Sequence, residues 1–492
     1  MKKPGTILLL PLDSRPCCAI FPKRLANIAG CRLIIPPRHL LGNLKERANP
    51  EKLRQWYEEA LKYQKPSAVI ASADLICWGG LVGSRRPPLN DPLYKLDNIK
   101  PYLEFPGLML AFGSCMRSAP TQTTAREVEI ANLIIEASEQ MGAWLENNPH
   151  SKTQMPQKLA ELISKIPEDI WKDYLDRRLI KHEANLAAIK YWKRRKGEGK
   201  LVFGMDDSKT KGLNVYEASQ LREMLKSIKR SHISTGIDET AMLMLVSALG
   251  GSAVSLEWSH DEGAYMTGAY EDVPFAEVIA LQCQAADIAI IPNASRRLFL
   301  FTPLSSPQRE ASSQVADPLP QDYIEPFIDR IEDSINKGFK TSVADIAWAN
   351  GSDRRLAEGL IKRGLFHKLT GYAGWNTAGN TIGTALAMLA LSPEKPTDEE
   401  DSARLSFLLE RLADDYMYQS VLRSHFSRKA GGSFAIMSPR QAEDAGNKLT
   451  SHLRSFIGSL CEGLKIGCQA KTEAYFPWRR AFEANISITL KH

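Results

Sequence analysis

The sequence predicts an α/β protein built from parallel βα units, arranged as a (β/α)8-barrel-like fold or a doubly wound open sheet, with a further α/β and helical C-terminal part. Three observations carry that prediction. Short apolar, β-branched runs alternate with helical patterns along most of the chain, as in strand–helix–strand crossovers. These runs end repeatedly in Asp, Asn, Gly and Ser, where parallel strands deliver ligand-binding loops. The length of 492 residues exceeds what one hydrophobic core usually organises, so one elaborated domain or two are expected.

The first predicted strand, residues 6–12, is a leucine run interrupted at once by Asp13 and Arg15, too short for a secretory h-region. Predicted strands follow at 32–36, 68–73, 108–112, 201–205, 232–235, 253–257 and 288–291, enough for an eight-stranded barrel. The runs at 232–235 and 288–291 are short enough to be loop, which keeps an open sheet in play. Between the fourth and fifth strands, residues 123–196 form a charge-rich insertion with apolar residues at helical spacing, placed to serve as a lid or a subunit contact. The stretch TPLSSPQREASSQVADPLPQD after Asn293 reads as a loop or boundary. It separates a main domain at 1–293 from a C-terminal region at 294–492. The βα pattern resumes at 341–347 and 369–372, helices follow, and 485–490 is a last strand.

Apolar residues make up 43% of the chain and charged residues 24%, ordinary values for a folded protein. The formal charge of +6 is small, and both signs are interspersed, so nucleic acid is not an expected partner. The densest basic run, KYWKRRKGEGK from Lys190, fits a solvated helix end better than a binding patch. No run approaches the ~20 apolar residues of a membrane span, and a cytoplasmic protein is expected. Eight cysteines are scattered without a CxxC pair, which suggests neither a disulfide framework nor a zinc ribbon. Most should be small buried hydrophobes; the pair Cys17-Cys18 leaves a reactive thiol open. No metal and no cofactor is expected.

Six strand-end motifs could carry chemistry. Asp13-Ser14-Arg15 after the first strand suits a polar ligand, or an Asp N-cap salt-bridged to its arginine. After the third, Asp74 precedes Trp78-Gly79-Gly80 and Arg85, offering close backbone approach, a stacking ring and an anion grip. Asp206 and Asp207 close the fifth strand. Adjacent carboxylates on extended backbone point to opposite faces, so one can act while the other orients, and their coupling can keep one protonated. A turn capping the next helix is the alternative. Asp238 and Glu239 follow the sixth strand, either as a second acid for a glycosidase-type pair or as a helix cap. In the C-terminal half, Asp345 and Asn350 lie in ADIAWANGSD, and Trp375, Asn376 and Asn380 in AGWNTAGNTIG. Asn376 and Asn380, four apart at a helix start, can face one side; amides suit hydroxyl or acetamido groups, and an elaborate N-cap is the alternative.

PLDSRP at Pro11–Pro16, ADLICWGGLVGSR, GMDDS, GIDETAMLML, ADIAWANGSD and AGWNTAGNTIGTALA together resemble the bacterial family catalogued as domain of unknown function 4127. The resemblance runs across nearly the whole chain, and Asp414-Asp415-Tyr416 with Arg423 fits its helical tail. Cys17-Cys18 and Lys209-Thr210-Lys211 depart from the family's usual residues. The resemblance implies that the strand-end motifs recur together as one site, without naming a reaction.

The surplus of Asp and Asn over His and Cys at strand ends, beside Trp78, Trp258, Trp348 and Trp375, predicts a hydrolase acting on a carbohydrate. The expected enzyme is a glycosidase with Asp206, Asp207, Asp238 and Glu239 as catalytic candidates. N-acetylhexosaminides are one substrate class considered, by analogy alone. Asp13, Arg15, Asp74, Arg85, Asp345, Asn350, Trp375, Asn376 and Asn380 would bind a small-molecule or oligosaccharide substrate. A homodimer is left open. The alternative is a non-catalytic protein that binds or senses a small polar ligand.

Overall fold

The computed structural model describes residues 5–119, 125–148, 154–208, 210–467 and 469–491. Thr123, at the expected start of the insertion, and Lys209 and Cys468 lie outside the described residues. Six strands form the first sheet: β1 (Ile7–Leu10), β2 (Leu33–Ile34), β3 (Ala68–Ser72), β4 (Leu108–Cys115), β5 (Gly199–Met205) and β6 (Ser231–Thr235). All are parallel, in the order β2-β1-β3-β4-β5-β6.

The chain continues through β7 (Ser252–Trp258), β8 (Ile288–Ile290), β9 (Arg296–Phe301), β10 (Arg309–Glu310), β11 (Lys340–Asp345), β12 (Trp348–Ala349) and β13 (Gly371–Ala373). Five of these make a second parallel sheet in the order β13-β11-β9-β7-β8, while β10 pairs with β12. Neither large sheet closes, since each runs from one edge strand to another, so of the two expected arrangements the open one is found. The eight strands expected up to residue 293 divide six and two between the sheets. The second sheet is completed by β9, an RRLFLF strand not anticipated from sequence.

Strand alternation explains how the first sheet is covered. Ile7 and Leu9 of β1 enter a core shared with Val254, Leu298 and Val343 of the second sheet. Leu8 and Leu10 face the opposite core with Leu53, Tyr57 and Ile189. Parallel strands buried on both faces read as continuous apolar runs, and β1 is buried throughout. The helix Thr240–Ala248 (TAMLMLVSA) is apolar around its circumference because it is packed on all sides. It meets β3 and β4 and the helices Pro16–Ile28, Phe275–Ala286 and Ala378–Leu391. Truncating Leu243 there to alanine would cost about 2–5 kcal/mol.

The insertion is helical as expected, with helices Ala125–Asn147, Gln157–Ile163 and Glu168–Arg194 around a small core of Ile134, Leu162 and Trp171. At the C-terminal end the helix Asp398–Arg411 runs into an 11-residue π-helix, Leu412–Leu422, and then the helix Arg423–Ala430. The helix Pro439–Gly463 packs on an antiparallel hairpin, β14 (Gln469–Tyr475) with β15 (Asn485–Lys491). β15 was expected from sequence and β14 was not. No described helix is long and apolar enough to cross a membrane.

Candidate functional site

The loops leaving the C-terminal ends of both large sheets converge on one cavity of about 520 Å³. Arg15 comes from the loop after β1, Arg85 from beyond β3, Arg117 from beyond β4, Asp206 and Asp207 from the end of β5, and Asp238 from beyond β6. The second sheet supplies Tyr270 and Glu271 beyond β7 and Asn376 and Asn380 after β13, and the small β10–β12 pair supplies Glu310 in β10 and Asn350 after β12. Arg423, Phe434, Arg480 and Phe482 of the C-terminal region complete the wall. Ligands of open α/β sheets bind at this edge.

Three non-glycine residues in the wall hold left-handed backbone: Asp207 (φ 32°), Asn350 (φ 61°) and Asn376 (φ 51°). Asn and Asp tolerate this region better than other residues, but it still carries strain, and such strain clusters at functional sites. The turn at Asp207 also separates the adjacent carboxylates. Asp206 is 2% exposed and receives two bonds from Arg85, Nε at 2.6 Å and Nη2 at 2.5 Å. Burial pushes its carboxyl up, but the charge and hydrogen bonds of Arg85, with Arg117 and Arg15, outweigh burial and hold it below the usual carboxylate range. Asp207, with its side chain 39% exposed, reaches Arg117 at 3.3 Å. Both aspartates line the cavity, Asp206 anchored by Arg85 and Asp207 open to it, and a left-handed turn divides them where extended backbone was expected.

Arg15 ties the loops after β1 and β6 together. Its Nε donates to Asp13 at 2.9 and 3.0 Å, and its terminal nitrogens donate to Asp238 at 2.8 and 2.7 Å. Asp13 lies behind Arg15 and does not line the cavity. Asp238 is pushed up by burial, with the Arg15 charge opposing. Cys17, Cys18 and Asp238 bring ligating atoms within 4.8 Å of one another, the one cluster of metal-ligand type among the described residues. Its donors suit a cation poorly, because Asp238 is engaged by Arg15 and burial pushes the Cys18 thiol well up. The seven described cysteines are buried, and Cys17, Cys18, Cys31, Cys77, Cys115 and Cys283 are free thiols.

Two buried glutamates sit where the sheets meet. Glu239 accepts from Gln282 at 3.0 Å and Asn380 at 2.6 Å beneath the cavity wall, and burial pushes its carboxyl up to about 8. Glu271 lines the cavity itself. It accepts from the Gly379 amide at 2.6 Å and the Thr235 hydroxyl at 2.7 Å, yet burial outweighs those bonds and pushes it up to about 7. Asn380 completes a capping box with Thr377 and receives the Asn376 amide, so the N-cap reading and the shared-face reading of this motif both hold. Gly236, at φ 70°, leaves room for Glu239, whose Oε1 would lie 2.0 Å from an added Cβ.

The remaining sequence candidates lie away from this space. Asp74 is fully buried, paired with Lys181 at 2.7 Å and bonded to the amide and hydroxyl of Ser114. Asp345 is fully buried, bonded to the Asp353 amide and the Tyr372 hydroxyl. Trp375 faces an adjoining recess beside Phe21 and Cys17. Trp78 and Trp348 are core residues, and Trp348 donates to Asp353 at 2.8 Å. The aromatic surface of the cavity is instead Tyr270, Phe434 and Phe482. Sequence reasoning passed over Glu271, Glu310, Arg117 and Arg480. The sequence signal for Glu271 is faint, a Tyr-Glu-Asp step in a turn.

Fold and cavity define a parallel α/β protein with a polar, arginine- and carboxylate-lined site where two open sheets meet. Over residues 7–487 the chain matches the family described as protein of unknown function (DUF4127), and it belongs to that family. No curated protein and no solved structure matches it.

Proposed function

We propose that the chain is a hydrolase acting on a carbohydrate, a glycosidase in which Glu271 is the proton donor. The observation that carries this reading is a carboxyl whose pKa burial raises to about 7 in the wall of a strand-end cavity that a second carboxylate, Asp207, also lines. A general acid works best with a pKa near the operating pH, and paired carboxyls with unlike environments mark acid and base. Glu271 gives its proton to the leaving oxygen, and Asp207 takes a proton from the attacking water. Asp206, locked by Arg85, sets the backbone that presents Asp207. Asn350, Asn376 and Asn380 supply amides to hydroxyl groups.

A binding protein without catalysis is the second reading. It is favoured by the direct pairing of Asp206 and Asp238 with arginines, an arrangement that fixes a recognition surface without moving protons.

A panel of chromogenic glycosides, N-acetylhexosaminides included, assayed with wild type, Glu271→Gln and Asp207→Asn separates the two. Turnover that falls by roughly 10² or more in each variant supports the acid–base reading. Absence of turnover on every member, with a sugar-induced thermal shift that Glu271→Gln retains, would replace it with the binding reading.

A further inference from the structure

Two opposite charges in the cavity wall have no ionic partner among the described residues. Arg423, the first residue after the π-helix, donates to Gln419 Oε1 at 2.9 Å and lies 5.8 Å from the Phe482 ring centre. Glu310 accepts only from neutral donors, the Asn350 amide at 3.0 and 3.2 Å and the Tyr270 hydroxyl at 2.8 Å. The two feel each other electrostatically, yet no ion pair joins them. The other cavity arginines all reach carboxylates: Arg15 reaches Asp13 and Asp238, Arg85 reaches Asp206, Arg117 reaches Asp207, and Arg480 reaches Glu483.

A half-buried guanidinium without a carboxylate is costly to desolvate, and burial lowers the hold of Arg423 on its charge. An incoming anion would relieve that cost. A carboxylate such as Glu310, held by two neutral donors, keeps lone pairs for further hydroxyl donors. Beside Arg423 the wall is aromatic: Phe434 and Phe482 stack with centroids 4.7 Å apart, a surface for the C–H face of a ring.

We infer that the substrate is an acidic carbohydrate, whose carboxylate or phosphate is received by Arg423 and whose neighbouring hydroxyl donates to Glu310. This rests on reading the cavity as a carbohydrate site and adds the charge of the substrate to it. The planar guanidinium fork suits either anion.

Calorimetric titration of the full chain tests it with glucuronate, galacturonate and glucose 6-phosphate against glucose and galactose. At least one acidic sugar should bind about tenfold or more tightly than its neutral parent. Arg423→Gln should abolish that preference, Arg423→Lys keep part of it, and Glu310→Gln weaken acidic and neutral sugars alike. The preferred acid identifies the source of the anion. Equal affinity for acids and parents, a preference that survives in Arg423→Gln, or no binding at all would overturn the inference. Inorganic phosphate binding as tightly as glucose 6-phosphate would overturn its carbohydrate part. Turnover of neutral glycosides that is indifferent to an added charge removes the anion and leaves the glycosidase. An Arg423-dependent preference for acidic sugars without turnover of their glycosides leaves the anion site and removes the glycosidase.

Discussion

Replacing Arg15 by methionine is the perturbation the structure constrains best. The side chain satisfies Asp13 and Asp238 together, and these are only 2% and 7% exposed. Methionine fills most of the volume and removes four charge-assisted bonds, leaving two buried carboxylates without a cation. Breaking one buried pair from one side costs about 3–5 kcal/mol, and here one arginine serves two acids, so a loss at the upper end is expected at pH 8. The loss should depend on pH with a definite sign. Asp238 is already pushed above its ordinary value by burial, and without the arginine it rises further. A carboxyl whose folded pKa lies above its unfolded one destabilises at high pH, and that penalty fades as pH falls through the folded pKa towards the unfolded value. Urea unfolding of Arg15→Met and wild type, followed by tryptophan fluorescence at pH 8 and pH 5.5, should show a deficit that shrinks at the lower pH. The triple change Arg15→Met, Asp13→Asn, Asp238→Asn should recover part of it at pH 8. A deficit under about 1 kcal/mol at pH 8, or one equal at the two pH values, would refute the reasoning.

Three further outcomes follow from the site. With Glu271 at about 7, kcat/KM on a turned-over glycoside should fall as pH rises through that value, because the donor loses its proton, and Glu271→Gln should remove this limb; a limb unchanged in the variant would assign it to another group. Gly236→Ala should cost several kcal/mol in urea unfolding, since its Cβ would lie 2.0 Å from Glu239 Oε1 on a left-handed backbone; a change within ~0.5 kcal/mol would show that Glu239 can move aside. Lys181→Met should destabilise by about 3–5 kcal/mol by stranding buried Asp74, while leaving sugar binding unaltered; a selective loss of binding would return Asp74 to the site.

Local chemistry was legible where local pattern decides structure. β1, β3, β4 and β5 are buried on both faces, and their apolar runs said so. The RRLFLF run of β9 was missed because two arginines open it and a proline-rich loop follows, although its last four residues are fully buried. β14 alternates polar residues and is stabilised by β15 and the helix beneath it, partners that no single segment displays. The π-helix leaves no residue-level mark, because its i→i+5 bonds require no special side chain. Within the site, Asp206, Asp207, Asp238, Arg15, Arg85, Asn350, Asn376 and Asn380 were legible as polar residues at strand ends. Glu271 was not, because its raised pKa comes from burial in the packed fold, and the Gly379 and Thr235 donors that hold it there against that effect stand 108 and 36 residues away. Asp74 and Asp345 misled for the reciprocal reason. They stand at strand ends, but both are fully buried in the core, Asp74 paired with Lys181 and Asp345 bonded to the Asp353 amide and the Tyr372 hydroxyl.

Two marks coincide in the cavity wall. Asp207, Asn350 and Asn376 hold left-handed backbone at its wall, each at a cost of order 1–3 kcal/mol that the surrounding cores must offset. Arg423 and Glu310 keep charges there without ionic partners. The Arg411–Asp414–Asp415 cluster shows neither feature, for Arg411 binds both aspartates and stacks on Phe21. Asp74 with Lys181 shows neither as well. A fold selected for stability alone would relax the strained turns to glycine and close Arg423 onto Glu310. Retaining both in the same 520 Å³ is what a ligand that completes the charges would require.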